Sequence, residues 1–99
     1  MPQDAVTADP KHYKVEFEDD QVRVLRIKYG PGEKSAMHGH PRSLGVFLTD
    51  VHGRFTFPDG STEEIQGKAG DFVPFPETEH LPENLSDRPM EIIFMEFKR

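Results

Sequence analysis

Residues 54–65 read RFTFPDGSTEEI. Two strand-like runs, 54–57 and 62–65, are separated by Pro58-Asp59-Gly60-Ser61, and an Asp-Gly pair in this position predicts a tight β-hairpin. The centre of the chain is therefore expected to be a pair of antiparallel strands.

Short strand-like runs lie on both sides of this hairpin, with Gly, Pro or Asp residues between them. Several alternate apolar and polar residues with a period of two, which is typical of a half-buried strand. The runs are Tyr13–Glu18, Val22–Tyr29, Gly45–Thr49, Phe72–Phe75 and Met90–Phe97. No amphipathic helix stands out. Many short strands with turn residues between them predict an all-β sandwich or barrel.

Two of these runs carry further information. Pro74 interrupts the 72–75 run and Pro76 follows it, so we expect this run at a sheet edge, where a missing N–H is tolerated. The last run is apolar on both faces and is therefore expected to be covered on both sides.

Size and charge exclude several classes of protein. With 99 residues, the chain fits one domain, which we divide into an N-terminal arm (1–12) and a β-domain (13–99). The net charge of −6 and the lack of a basic cluster exclude a typical nucleic-acid binder. No apolar run approaches the roughly 20 residues that span a bilayer. There is no cysteine and no signal-like start, so we expect a cytoplasmic protein without a membrane partner.

Three of the five histidines are spaced as metal ligands would be. His38 and His40 are two residues apart, so on a strand both side chains lie on one face. His80 follows forty residues later and can reach the same face from a neighbouring strand. Three imidazoles suit Zn, Fe, Ni or Cu and leave coordination positions open. The alternative is that these histidines are surface or packing residues.

The residues around the three histidines resemble the cupin superfamily. Its first motif is Gly, five residues, H-x-H, three or four residues, Glu, six residues, Gly, and its second is Gly, five residues, P-x-G, two residues, His, three residues, Asn. Residues 32–48 read GEKSAMHGHPRSLGVFL, and residues 70–84 read GDFVPFPETEHLPEN. The resemblance covers about residues 22–97. It implies a single small antiparallel β-barrel or jelly roll of the cupin type, with one divalent metal ion (Fe, Zn, Ni or Mn) on His38, His40 and His80.

The chain departs from this pattern at three points. Leu44 and Gly45 stand where the motif has its Glu ligand, which leaves a three-His centre of net charge +2. The final Gly of the first motif is Gly53, which lies further along the chain than the motif spacing requires and predicts an extra residue or a bulge near Val51-His52. In the second motif, Thr78 replaces the Gly of P-x-G. Three-His sites in this superfamily resemble those of Fe(II) dioxygenases that cleave diketones or oxidise thiols, although the substrate does not carry over.

Other residues near the motifs are expected to be structural. Among the acidic residues, Glu33, Glu77 and Glu79 could replace the missing carboxylate, but a solvated position is expected for all three. His12 and His52 lie outside the motifs, with His52 in an exposed turn, and Asn84 is expected to satisfy backbone groups of a turn. We expect several phenylalanines to form the core and some to line a pocket beside the metal, among them Phe47, Phe55, Phe57, Phe72 and Phe75.

Two functions follow as hypotheses. The first is a metal-dependent enzyme, dioxygenase- or isomerase-like, that acts on a small oxygen-bearing substrate. The second is a non-catalytic cupin that binds or senses a small molecule, and a structural zinc site is a third interpretation. The sequence assigns no catalytic or substrate-binding residue. We also expect a homodimer, because the last strand is apolar on both faces and cupins commonly pair through sheet edges.

Overall fold

The computed structural model describes residues 2–98, which form one short helix and nine strands. The elements in chain order are α1 Ala5–Ala8, β1 Tyr13–Glu18, β2 Val22–Tyr29, β3 His38–His40, β4 Ser43–Phe47, β5 Val51–Thr56, β6 Thr62–Gly67, β7 Phe72–Phe75, β8 Thr78–Asn84 and β9 Met90–Phe97.

The strands form two antiparallel sheets. The order in the larger sheet is β1-β2-β9-β4-β7, and in the smaller sheet it is β3-β8-β5-β6. The predicted all-β fold is confirmed. Within residues 2–98, however, the strand pairing does not run from one sheet into the other, so the fold is a two-sheet jelly roll and not a closed barrel. β7, which contains Pro74, lies at the edge of its sheet as predicted.

The hairpin at the centre of the chain is present. β5 pairs with β6 from Val51↔Gly67 to Thr56↔Thr62, and Gly60 in the turn has a φ of 87°, which a residue with a Cβ rarely adopts. The register is continuous along this pair, so the predicted bulge near Val51-His52 was wrong. The irregularity of register lies instead in β1, between Val15 and Phe17.

The core lies between the two sheets. Odd-numbered residues of β2 and β4 and even-numbered residues of β9 point inward, because alternate side chains of a strand face opposite sides. The buried apolar residues include Tyr13, Leu25, Ile27, Tyr29, Phe47, Val51, Met90 and Phe94. Phe72 is 68% exposed, so its assignment to the core was wrong, since Val73 and Phe75 of β7 take the inward positions.

The N-terminal segment lies against β3. Asp4 caps α1 by accepting hydrogen bonds from the Val6 and Thr7 amides, and the Gly39 amide donates to the Gln3 carbonyl at 2.8 Å. A Cβ on Gly39 would lie 2.5 Å from the Cβ of Pro2, so only glycine allows this close approach. This segment therefore packs directly behind the strand that carries His38 and His40.

No helix in residues 2–98 is long and apolar enough to cross a membrane.

Candidate metal centre

The fold brings His38, His40 and His80 together, and we call them the triad. β3 pairs antiparallel with β8 so that His38 lies directly opposite His80 and His40 lies opposite Thr78. One ring nitrogen from each histidine lies within 4.8 Å of the other two, and the three ring centroids are 4.8, 5.0 and 5.2 Å apart. Two neighbouring strands thus present three nitrogen donors to one point.

Two nitrogens of the triad are buried without a partner. All three side chains are buried, and Nε2 of His38 and Nε2 of His80 have no hydrogen-bond partner among the described residues. A buried polar atom without a partner costs about 1–3 kcal/mol, so such atoms are rare and need an explanation. A metal ion would supply the missing interaction for both.

The Nδ1 atoms of His38 and His40 do have hydrogen-bond partners. His38 Nδ1 lies 2.9 Å from the Ala36 carbonyl and 3.0 Å from Ser35 Oγ, and His40 Nδ1 lies 2.5 Å from a carboxylate oxygen of Glu96. A carbonyl and a carboxylate only accept hydrogen bonds, so both Nδ1 atoms donate, and in a neutral ring Nε2 then carries the lone pair. Metal-ligating histidines are commonly held in this way.

Burial keeps two members of the triad neutral. Burial, and then the neighbouring His40, lower the pKa of His38 to about 4. Burial, together with His40 and His38, lowers the pKa of His80 to about 2. A neutral imidazole is the form that coordinates metal. The donor set, its burial and its unpaired nitrogens fit a divalent metal ion.

No carboxylate joins the triad among residues 2–98. At the position of the missing motif Glu, a Cβ on Gly45 would lie 3.2 Å from the Phe75 ring and 3.3 Å from the Phe94 ring. Aromatic rings therefore occupy that side of the site. Glu77 is exposed and Glu79 lies opposite Gly39, on the face away from the imidazoles. The site is a three-nitrogen centre.

A small apolar cavity lies beside His40 and His80. Its volume is about 40 Å³. By the measure in which one water needs about 10–15 Å³, this is room for about three waters. Phe55 and Phe94 contact the triad, with ring centroids 4.5 Å from His80 and 4.7 Å from His40. The predicted phenylalanine lining is present, and its members are Phe47, Phe55, Phe75 and Phe94.

Two tyrosines close the cavity near His38. The Tyr13 ring packs edge-on against His38 at 4.8 Å, and its hydroxyl lies 2.8 Å from the Tyr29 hydroxyl. Burial, and then the neighbouring Tyr29, raise the pKa of Tyr13 well above its usual range. Both phenols are therefore neutral hydrogen-bonding groups.

The remaining histidines lie apart from the triad. His52 is on β5, not in a turn, and pairs with Glu64 at 2.9 Å on the exposed side of the strand. His12 is buried between Asp9 and Glu33 and stacks on Tyr29 with ring centroids 4.2 Å apart. Glu33 is therefore engaged by His12, as well as by Lys11, and not by the triad.

Asn84 has the predicted structural task. Its Nδ2 donates to the carbonyls of Gly30 and Arg88 at 3.1 and 2.8 Å, and its Oδ1 accepts from the Ser86 amide at 3.0 Å.

The sequence reasoning missed Glu96. This residue is 2% exposed, on the inward face of β9 with Ile92 and Phe94. A signal was present, because Glu96 is the charged member of an otherwise apolar period-two face, where a buried charge needs a partner.

The family model described as "Cupin domain" matches residues 25–96. The curated proteins contain no significant match to this chain.

Several crystal structures share the fold. A cupin domain from Bordetella pertussis Tohama I superposes with a TM-score of 0.80 and 25% identity, over 88% of this chain and 92% of that one. A cupin superfamily protein from Desulfitobacterium hafniense DCB-2 gives a TM-score of 0.64 and 14% identity, over 86% and 74%. The Bacillus subtilis oxalate decarboxylase gives a TM-score of 0.65 and 21% identity, over 87% of this chain but 26% of its own.

The match over residues 25–96 includes both strands of the triad and the strand that carries Glu96. This chain belongs to the cupin domain family.

Proposed function

We propose that the triad binds one divalent metal ion and that this ion holds a small oxygen-bearing ligand in the adjoining cavity. The observation that carries the proposal is the pair of buried Nε2 atoms, on His38 and His80, that have no hydrogen-bond partner. Folding leaves these two atoms unsatisfied beside a third imidazole, and a cation is the partner that would satisfy all of them together.

The side chains around the triad define what the site can accept. His38 and His80 are neutral, so each offers one ring lone pair, and His40 is held through Nδ1 with its Nε2 available. The phenylalanine rings exclude water, and the cavity volume limits the ligand to a few heavy atoms beyond the ion. A divalent ion held by three protein ligands supplies Lewis-acid chemistry, or O₂ activation where the ion is iron, at its open positions.

A metal-dependent reaction of dioxygenase or isomerase type is the first function that this site supports. Its metal is Fe, Zn, Ni or Mn. A related fold can hold such an ion, since the Bacillus subtilis oxalate decarboxylase has Mn(II) centres, although at 21% identity it shares with this chain the fold alone.

One observation favours the second candidate, a non-catalytic binding or sensing protein. Each titratable cavity residue outside the triad already has a partner: Tyr13 and Tyr29 bond each other, and Glu83 pairs with Arg54 at 3.0 Å. No free acid or base therefore lines the cavity in residues 2–98. Any chemistry would depend on the metal and its bound ligand.

Metal analysis tests the proposal. We expect about one Fe, Zn, Ni or Mn per chain in protein purified without a chelating tag, and its loss in His80→Ala. His52→Ala is the matched control, because His52 lies on the exposed side of β5, and it should keep the metal. Wild-type protein that neither retains nor takes up any of these ions would disprove metal binding.

Metal identity then directs the activity assays. Iron would lead to O₂ uptake with small diketones and thiols, and zinc, nickel or manganese to hydrolysis or isomerisation of small oxygen-bearing compounds. A loaded protein that binds such compounds without turnover would support the binding function over the enzyme.

We also propose a homodimer formed through the outer face of the larger sheet. Directly opposed residues make a continuous apolar row across five strands, namely Phe17, Val24, Met95, Leu44 and Pro74. Phe17 is 55% exposed and the neighbouring Phe72 is 68% exposed. A second copy would cover this face around a two-fold axis.

Sedimentation velocity tests the dimer. Met95→Lys places a charge at the centre of the row and should shift the protein from dimer to monomer at micromolar concentration. Glu63→Lys, an exposed change on the other sheet, should leave it unaltered. A wild-type monomer would refute the proposal.

A further inference from the structure

We propose that Glu96 is a positioning residue that fixes the tautomer and the ring orientation of His40, so that His40 Nε2 faces the other two imidazoles. The effect on metal affinity rests on the proposed function, whereas the tautomer is a property of the metal-free protein.

The contact is short and buried. A Glu96 carboxylate oxygen lies 2.5 Å from His40 Nδ1, with 3% and 2% of the two side chains exposed. A carboxylate can only accept, so His40 places a proton on Nδ1, and in the neutral ring the lone pair then lies on Nε2. An anionic acceptor in this position also increases the basicity of the imidazole toward a metal.

Arg23 holds the other oxygen of Glu96. The Arg23 Nε–H donates to that oxygen at 2.8 Å, and one of its terminal NH₂ groups lies 2.7 Å from it. The same guanidinium pairs with Asp4, which caps α1. A planar guanidinium that pairs with two carboxylates has little freedom to rotate. Arg23 therefore fixes one oxygen of Glu96 and keeps the other oxygen directed at His40.

This arrangement accounts for the missing motif carboxylate. Gly45 leaves no ligand at that position, and the Phe75 and Phe94 rings occupy the space. Glu96 instead places a carboxylate behind His40, across the imidazole ring from Nε2, where it occupies none of the coordination positions of the ion.

The chain offers a matched control for a role in the ion pair alone. Glu91 lies on the same strand and pairs with Arg26 of β2 at 2.5 Å, much as Glu96 pairs with Arg23. Glu91 points outward and contacts no histidine. A substitution that disturbs only a cross-strand ion pair should therefore behave alike at 91 and 96, whereas a positioning role should separate them.

Two measurements test the inference, the first without any metal. Long-range ¹H–¹⁵N NMR of the metal-free wild type should show His40 protonated at Nδ1, and Glu96→Gln should change the His40 nitrogen shifts while Glu91→Gln leaves them unaltered. A wild-type His40 protonated at Nε2 would overturn the inference, even if Glu96→Gln failed to fold.

The second measurement uses Co(II) as the probe, by calorimetry and by its visible spectrum. Glu96→Gln should weaken Co(II) binding about 10–100-fold and shift the spectrum, and Glu91→Gln should change neither. An affinity within twofold of wild type with an unchanged spectrum and unchanged His40 shifts would overturn the inference. If the wild type took up no Co(II), the proposed function would fail, and the NMR comparison alone would decide the role of Glu96.

Discussion

The triad and His12 are both buried, but they differ in what their ring nitrogens contact. His12 is 6% exposed, with Nδ1 2.6 Å from Asp9 and Nε2 2.9 Å from Glu33. His38 and His80 are equally buried, yet each has an Nε2 with no partner. Burial alone therefore does not identify a ligand.

The hydrogen-bond partners of the ring nitrogens separate a structural histidine from a candidate metal ligand. Two carboxylates flank His12, so both of its ring nitrogens already have hydrogen-bond partners. His12 instead connects the N-terminal segment to the loop after β2. In the triad, by contrast, each histidine directs one available ring nitrogen toward a common point.

The largest expected effect comes from replacing one histidine of each group by leucine. His12→Leu should lower the free energy of unfolding by about 2–4 kcal/mol, because the buried Asp9 loses its partner. His80→Leu, in a chelator, should change it by less than about 1 kcal/mol or raise it, because an unsatisfied nitrogen is removed beside Phe55. Urea unfolding measures both free energies. A larger decrease for His80→Leu than for His12→Leu would contradict the distinction between the two kinds of histidine.

Metal addition should give the next largest effect. Zn(II) at about 100 times its dissociation constant should raise the free energy of unfolding of the wild type by about 2.7 kcal/mol. His80→Leu should show no such increase, since it lacks one of the three donors. An equal increase in both proteins would place the bound metal outside the triad.

The aromatic side of the triad gives a smaller test. Gly45→Ala should lower the free energy of unfolding by about 1–2 kcal/mol, because its Cβ would press on the Phe75 and Phe94 rings. Thermal unfolding of Gly45→Ala and of Gly45→Ala with Phe75→Leu measures the effect. The second change should restore part of the loss, and no rescue would mean that the crowding lies elsewhere.

The smallest effect concerns the partner of His12. The Gly30 amide, then His12 and Lys11, lower the pKa of Glu33 from 4.5 to about 2. A carboxyl group with a lower pKa in the folded than in the unfolded state stabilises the fold at pH values above its unfolded pKa. This contribution is lost as the pH falls from about 4.5 through about 2. Glu33→Gln should therefore make the urea midpoint depend less on pH between pH 5 and about pH 2.5, whereas Glu63→Gln, at an exposed position, should leave that dependence unchanged.

Much of the architecture could be predicted because it depends on local patterns. The Asp59-Gly60 turn and the period-two runs identify strands, and the two-residue spacing puts His38 and His40 on one face. The motif order also indicated His80 as the third member. The exposure of Phe72 could have followed from the same periodicity, since Pro74 shares its face and Phe75 does not.

Other features depended on contacts between residues far apart in the chain. His12 meets Glu33 across 21 positions, and His40 meets Glu96 across 56. The sequence signals that these groups are polar or charged, but it does not specify their partners. The same holds for Gly45, because the rings that fill its space come from β7 and β9.

Side-chain periodicity and turn chemistry act over a few residues, so they predicted most of the strands, although not β8, and the turn between β5 and β6. The motif spacing indicated the three histidines. Three features follow only from the three-dimensional fold: the sheets stay open, aromatic rings occupy the place of the fourth ligand, and Glu96 lies behind His40. Each of these depends on how strands pair across the chain, and pairing is fixed by the packing of the whole core rather than by any one segment.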